Sequence, residues 1–288
     1  MESKFGKVEE NCRLCFKKKL HHLINLGSQP LANRLNRKIP TKELKFPLNL
    51  CICKNCKTVQ IKETINSKIL FEKYFWQTST SIAAKKFSKI FCNKILSYFK
   101  YKKPFVLEIA SNDGTFLIPF KKKGLEVLGV DQAKNLATIS LKKKIPIVNG
   151  FFKKKKGKKI IKIKKKKEKK IIKNKKKKAD IIFTRNMIAH VENIHEIVEG
   201  AQEVLAETGI FVVEFHYAKE ILKGLQYDSI YHEHLFYFNL STLKNFFLTK
   251  DFYLFHAFRS PISGGALVAL FSKSPKKLSF AAKKILSE

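Results

Sequence analysis

Within eight residues, Tyr227-Asp-Ser-Ile-Tyr231-His232-Glu233-His234, the chain gathers two tyrosines, two histidines and two acids. Imidazole titrates closest to neutrality of any side chain, so histidines beside a carboxylate and phenols are suited to moving protons. A single tyrosine reads as core and a single histidine as surface; the cluster reads as acid–base machinery. His190, in Arg185-Asn-Met-Ile-Ala-His190-Val-Glu192, is a candidate for the same set. His195, His216 and His256 lack such a context and receive no role.

A second group could hold a ligand. Glu108-Ile-Ala-Ser-Asn-Asp-Gly114 follows an apolar run and opens a helical one. Small residues and Gly114 let the backbone approach a bound molecule closely. The loop has neither the GxGxxG pattern nor a P-loop lysine, which argues against dinucleotide and nucleoside-triphosphate cradles. Asp131 lies 23 positions after Glu108, at the end of the next apolar run, where a carboxylate can accept both hydroxyls of a ribose. Loop and carboxylate together point to S-adenosylmethionine, whose cationic sulfonium suits Glu108 or Asp113. Ala110, Asn112 and Gly114 complete the loop's share of the cofactor set, and Asn186 is placed with them.

Cysteines stand at 12, 15, 51, 53, 56 and 92. Cys12/Cys15 and Cys53/Cys56 are C-x-x-C pairs, each able to put two thiolates on one ion. Two such turns make a tetrahedral site of the kind structural zinc prefers. Cys51 could compete, and His21 and His22 are lesser candidates. With four ligands the ion has no open position for catalysis. Cys92 reads as a helix-buried thiol.

These groups need elements to position them. Residues 1–60 read as loop-rich and 64–100 as helical. From 104 onward short apolar runs alternate with amphipathic stretches: strands at 105–110, 125–130, 146–150, 179–185, 209–215, 252–258 and 266–271, with helices at 115–123, from 133, at 194–207 and near 241–247. Strand–helix alternation predicts an α/β, doubly wound and mostly parallel sheet of seven strands, which places 110–114, 131, 186–190 and the cluster at its carboxyl edge.

Composition sets bounds. The chain has 288 residues, 44% apolar and 12% aromatic, which excludes wholesale disorder. No run approaches the ~18 apolar residues of a membrane span, and the N-terminus has no apolar segment of a secretory signal, so a cytoplasmic protein is expected. Net charge is +36, with 59 Lys plus Arg against 23 acids. Residues 153–178, with 18 Lys and one Glu, supply +17 of it. Readers of nucleic acid lean on Arg and interleaved aromatics, which this tract lacks, so it reads as a solvated insertion and no specific nucleic-acid partner is expected. No signal sets the oligomeric state.

The chain resembles the zinc-containing C-methyltransferases that act on nucleotide-linked 4-keto-deoxysugars. The matching pieces are Cys12/Cys15 with LGSQPLANRL (26–35), FPLNLCICKNCKTVQI (46–61), Tyr74-Phe-Trp76 with STS (79–81), LEIASNDGTFL (107–117), RNMIAHVEN (185–193) and YDSIYHEHLFYF (227–238). The resemblance implies a class I methyltransferase-type fold with a small N-terminal zinc-binding module. The implied division is a zinc module at 1–62, a helical connector at 63–103, an S-adenosylmethionine-binding domain at 104–273 and a short stub at 274–288. The family's third, C-terminal domain has no counterpart in this stretch. The implied substrate is a nucleotide-linked sugar. The resemblance makes His234 the general base at the carbon beside the sugar ketone, with Glu233 orienting it or sharing its proton. Tyr231 and His190 would line the enolate and proton path. Tyr74 would reach in from the N-terminal segment, and Trp76 would stand where a second aromatic is usual. Ser263-Gly-Gly-Ala-Leu-Val268 departs from the family's HGGSLR-like stretch.

Two other readings compete. A nucleic-acid methyltransferase would use the basic charge, but Arg185-Asn-Met-Ile stands where amino-methylating enzymes carry Asn/Asp-Pro-Pro-aromatic, and no Pro-Cys dipeptide exists for cytosine C5 chemistry. A non-catalytic zinc and cofactor-binding remnant is the third.

Overall fold

In the computed structural model, residues 2–3, 6–33, 43–66, 69–70, 74–99, 103–152 and 178–288 are described. The lysine tract, apart from Lys178, lies outside them.

The N-terminal region holds β1 (Glu2–Ser3), β2 (Gly6–Val8), β3 (Leu20–Pro30), β4 (Lys45–Cys53), β5 (Val59–Ile61) and β6 (Glu63–Ile65). The loop-rich expectation for 1–60 is thereby corrected: β3 and β4 form a long antiparallel pair. Most of β3 is exposed, so its sequence has no period-2 apolar alternation to betray it. The expected helix over 64–100 is also shorter. β6 pairs with β2, and α1 occupies only Ile82–Ser97. Ser81 Oγ caps it by accepting from the Ala84 amide at 3.1 Å, and Ala84, Phe87, Phe91 and Ile95 form its buried stripe.

The rest alternates: β7 (Phe105–Ile109), α2 (Leu117–Lys122), β8 (Glu126–Asp131), α3 (Lys134–Lys142), β9 (Ile147–Asn149), β10 (Ala179–Arg185), α4 (Ile194–Val204), β11 (Leu205–Phe215), α5 (Ala218–Lys223), β12 (Phe236–Tyr237), α6 (Leu240–Leu248), β13 (Tyr253–Arg259), β14 (Leu267–Ser272) and α7 (Phe280–Ser287). Seven strands make the expected sheet in the order β13-β14-β11-β10-β7-β8-β9. β7, β8, β9, β10 and β11 are parallel, and β14 inserts antiparallel between β11 and β13. Period-2 alternation splits its side chains between two cores. Leu107, Leu128, Ile182 and Phe211 face α4 and α6, while Val106, Val127, Phe183 and Val212 face α1 and α2.

β12 does not join this sheet. It pairs antiparallel with β5, as the edge of a four-stranded sheet β12-β5-β4-β3. Arg13 stabilises the same region. It is 5% exposed, and its guanidinium donates to the carbonyls of Ile61, Lys62 and Glu63 and to Thr64 Oγ1. Arg13→Met would leave several buried acceptors without donors, and should lower stability by at least about 3 kcal/mol in urea unfolding. Arg13→Lys, which keeps the charge but loses the planar fork, should recover only part of that loss. Two variants as stable as wild type would show that the fork does not hold the module.

Candidate active site and metal centre

The two cysteine turns are copies of one another. In the first, the Phe16 amide donates to the Cys12 carbonyl at 2.8 Å; in the second, the Lys57 amide donates to the Cys53 carbonyl at 2.8 Å. Phe16 and Lys57 both take left-handed backbone, with φ of 60° and 61°. Cys12 and Cys56 sulfurs lie 3.5 Å apart and Cys15 and Cys53 sulfurs 3.6 Å apart, all four within 4.8 Å of one another. A zinc with Zn–S bonds of ~2.3 Å spaces its sulfurs by about 3.8 Å, so the quartet fits that ion. Cys51 is buried outside the cluster, paired in register with Gln60 and His22.

The candidate cofactor loop leaves β7 under local strain. Ala110, Asn112 and Gly114 all have positive φ, at 56°, 52° and 75°. Left-handed alanine is uncommon, and such strain persists where surroundings demand it. Asp131 Oδ2 accepts from the Asn112 amide and Oδ1 from the Ala133 amide, each at 2.8 Å. Burial pushes its pKa up to about 6, against the pull of those two amides. Glu108 is buried, with Oε2 lacking a partner among the described residues, and burial raises its pKa well above the carboxylate range while Arg185 opposes. Arg185 itself stacks 3.2 Å from the centroid of Phe116 and pairs with Glu214. An orphaned carboxylate oxygen beside a left-handed loop suits the cationic end of S-adenosylmethionine.

Asp113 corrects the expectation that it faces the cofactor. Its Oδ1 accepts from Thr115 Oγ1 at 2.6 Å, and its Oδ2 from Lys143 Nζ at 2.8 Å and the Ser79 amide at 3.0 Å. It anchors the loop instead. Asn186, with φ of 48°, donates from Nδ2 to Ser263 Oγ at 2.8 Å, while its buried Oδ1 has no partner among the described residues.

The segment from Tyr74 to Ser81 lies over this loop. Asn135 Nδ2 donates to the Tyr74 carbonyl at 2.9 Å and Asn112 Nδ2 to the Trp76 carbonyl at 3.0 Å. Burial pushes the Tyr74 phenol up to about 12, with the charges of Glu233 and Asp131 adding to it. Trp76 is 57% exposed, with its carbonyl on the Asn112 side chain.

His234 is 3% exposed. Its Nδ1 is 2.9 Å from the Ser229 carbonyl, which can only accept, so Nδ1 carries the proton. Nε2 is then the basic nitrogen, and Tyr231 Oη donates to it at 3.0 Å. Burial, then His190 and His216, hold the His234 pKa well below its ordinary value. Burial, then His216, lower His190 to about 4. Burial raises the Tyr231 phenol, with Glu233 adding to it. The site therefore presents neutral imidazoles and protonated phenols at neutral pH. Glu233 does not hold His234, as the resemblance implied. Ser229 does, and the Glu233 carboxylate accepts from Asn33 instead, at 2.8 Å.

Two residues escaped the sequence reading. The His216 ring centroid is 4.9 Å from that of His234, matching His190 at 4.8 Å on another side. Its position directly after the apolar run 209–215 was the available signal. Asn33, 200 positions from Glu233, had none beyond lying in the LGSQPLANRL match. His195 stacks on Phe16, and His256 bonds Tyr98 and Ser279; both are structural.

Comparison with known proteins agrees with this geometry. Residues 83–257, more than half of the chain, match the family described as "Methyltransferase domain". The chain belongs to that family. Residues 12–71 match the family described as "Putative zinc binding domain", over the four clustered cysteines. The C-methyltransferase NovU of Streptomyces niveus is 27% identical over 262 residues, or 90% of this chain; the chain spans 60% of that relative's length. The PH0226 protein of Pyrococcus horikoshii OT3 has a similar structure, with TM-score 0.50 and 14% identity over 72% of this chain and 97% of that one. A chain of the complex between the Haloferax volcanii Trm112 methyltransferase activator and a methyltransferase also has TM-score 0.50, with 11% identity over 67% and 96%. At such identities the likeness is one of fold: the methyltransferase has the class I, S-adenosylmethionine-binding sheet. Among the described residues no helix is long and apolar enough to cross a membrane.

Two measurements test this site. Cys53→Ser should lose bound zinc in metal analysis; full retention would move the ion elsewhere. By calorimetry, S-adenosylmethionine affinity should fall as pH drops through about 6, because the raised Asp131 carboxyl then takes a proton. Asp131→Ala should weaken binding by roughly 1.5–3 kcal/mol and flatten that pH dependence. Equal affinities would place the ribose partner elsewhere.

Proposed function

We propose that this methyltransferase transfers a methyl group to carbon, on a nucleotide-linked 4-keto-deoxysugar, with His234 as general base. The observation that carries the reading is the His234 tautomer: Nδ1–H is spent on the Ser229 carbonyl, leaving Nε2 as a neutral base among phenols. Bound at the Ala110–Gly114 loop, S-adenosylmethionine supplies an electrophilic methyl group. The chain's own residues must make the carbon nucleophile.

A carbon beside a ketone gives up its proton reluctantly, and burial weakens His234 as a base. Stabilisation of the developing enolate oxygen must therefore act in the same step. Tyr231 and Tyr74 are suited to it, since their raised pKa values keep them protonated as donors. Nε2 takes the proton from carbon, and Tyr231 is freed to donate to the oxygen. Burial, His190 and His216 disfavour the resulting imidazolium, so His234 must give the proton up again before the next turnover, along a path that His190 and His216 line. Excluding water from His234 also protects the carbanion from quenching. A reduced, cytoplasmic setting suits the four thiolates, which hold zinc as a structural ion. A small-molecule substrate fits a site walled by buried side chains.

Solvent deuterium exchange into a nucleotide-linked 4-keto sugar, with and without cofactor, tests the reading. Wild type should exchange before it methylates. His234→Asn should lose both activities by about 100-fold or more, the usual scale of a general base. Wild-type exchange in that variant would transfer the role to His190. No exchange by wild type on any such sugar would overturn the substrate class.

A further inference from the structure

The segment carrying His234 is gripped from the N-terminal region at several points. His232 Nε2 lies 3.1 Å from the Pro47 carbonyl and 3.3 Å from that of Phe46, and the ring is 1% exposed. The Ile61 amide donates to the Leu235 carbonyl at 3.2 Å, and β12 pairs with β5. These contacts hold the His232 ring and the segment's backbone. Among the described residues, the Asn33–Glu233 contact is the one from this region that hydrogen-bonds a charged side chain of the candidate site. Asn33 Nδ2 donates to Glu233 Oε1 at 2.8 Å, three residues past the end of β3, with Leu31 buried beside it.

Glu233 is 3% exposed, and its Oε2 has no partner among the described residues. The groups around it offer little help to a negative charge. Tyr74 and Tyr231 each sense it, and the His190 ring interacts with the Glu233 backbone. His234 turns its N–H to Ser229. The amide of Asn33 is thus the hydrogen-bond donor on this carboxyl group among the described residues.

We infer that Asn33 is a positioning residue of the active site, supplied by the zinc-bearing region to fix the Glu233 carboxylate with Oε2 left for a substrate O–H or N–H beside the reacting carbon. The inference rests on the reading of the His234 cluster as the catalytic centre. Burial raises the Glu233 pKa and the Asn33 amide lowers it. Removing the amide leaves burial unopposed, so the carboxyl should hold its proton to higher pH and lose its capacity to accept from substrate. An acid in place of the amide should go further, since adjacent carboxylates share a proton.

The test has a readout that needs no substrate. In protein labelled with 13Cδ-glutamate, the Glu233 carboxyl signal is identified by its loss in Glu233→Gln. Asn33→Leu should move its titration midpoint up by about one to two pH units, the scale of one hydrogen bond to a charged group, and Asn33→Asp should move it further. Zinc content and S-adenosylmethionine affinity should stay at wild-type values in both. In the exchange assay, the acidic limb of the pH–rate profile should move up by the same amount in Asn33→Leu. It should not move further when Asn33→Leu is added to Glu233→Gln. An unmoved midpoint, or equal rate losses at every pH, would overturn the role of Asn33. A moved midpoint in a protein that exchanges no 4-keto sugar would overturn the substrate reading and leave the Asn33–Glu233 coupling standing.

Discussion

The two-residue pairing of β12 with β5 is the contact on which the site depends. Phe236 and Tyr237 stand opposite Gln60 and Val59, and through them the acid–base segment becomes an edge of the zinc region's sheet. On its other side the same segment meets the large sheet, where the Leu235 amide donates to the Ala189 carbonyl at 2.7 Å. Two sheets built from distant parts of the chain thus share one loop. A zinc held by the four cysteines would act at a distance in this scheme. Its two turns hold β4 and β5 in place, those strands hold β12, and β12 holds the rings of His234 and Tyr231 against His190 and His216.

Burial governs the chemistry of that junction. Taking imidazoles out of water disfavours their charged form and taking phenols out of water disfavours theirs, so both kinds of group are neutral where they meet. A neutral histidine with one nitrogen committed to a carbonyl has a single basic position, and the backbone decides which one it is. The buried carboxyl groups are not treated alike. Asp131 keeps two amide donors and Asp113 a lysine, whereas Glu108 and Glu233 each retain an oxygen without a partner among the described residues. Orphaned buried oxygens are costly in a folded protein; under the proposed function the cofactor and substrate would supply their donors.

Much of this was legible in the residues themselves. The five parallel strands were readable because their central residues are buried on both faces and form short apolar runs, as in Phe105–Leu107 and Ile181–Phe183. The cysteine spacing and the Tyr231–His234 cluster were readable because the chemistry lies within a few consecutive positions. β3 was not, since an exposed strand needs no alternation, and the helix expected from 64 was displaced by the pairing of Glu63–Ile65 with β2.

Tertiary structure alone decided the partners. Which donors hold Asp113, and that Asn33 and His216 lie beside Glu233 and His234, depend on residues well separated in the chain. Residue type and spacing record what chemistry a side chain is able to do and which local element carries it. They do not record where a hydrogen bond across 200 positions ends, because that is set by the crossing of two sheets whose relative placement no local pattern encodes.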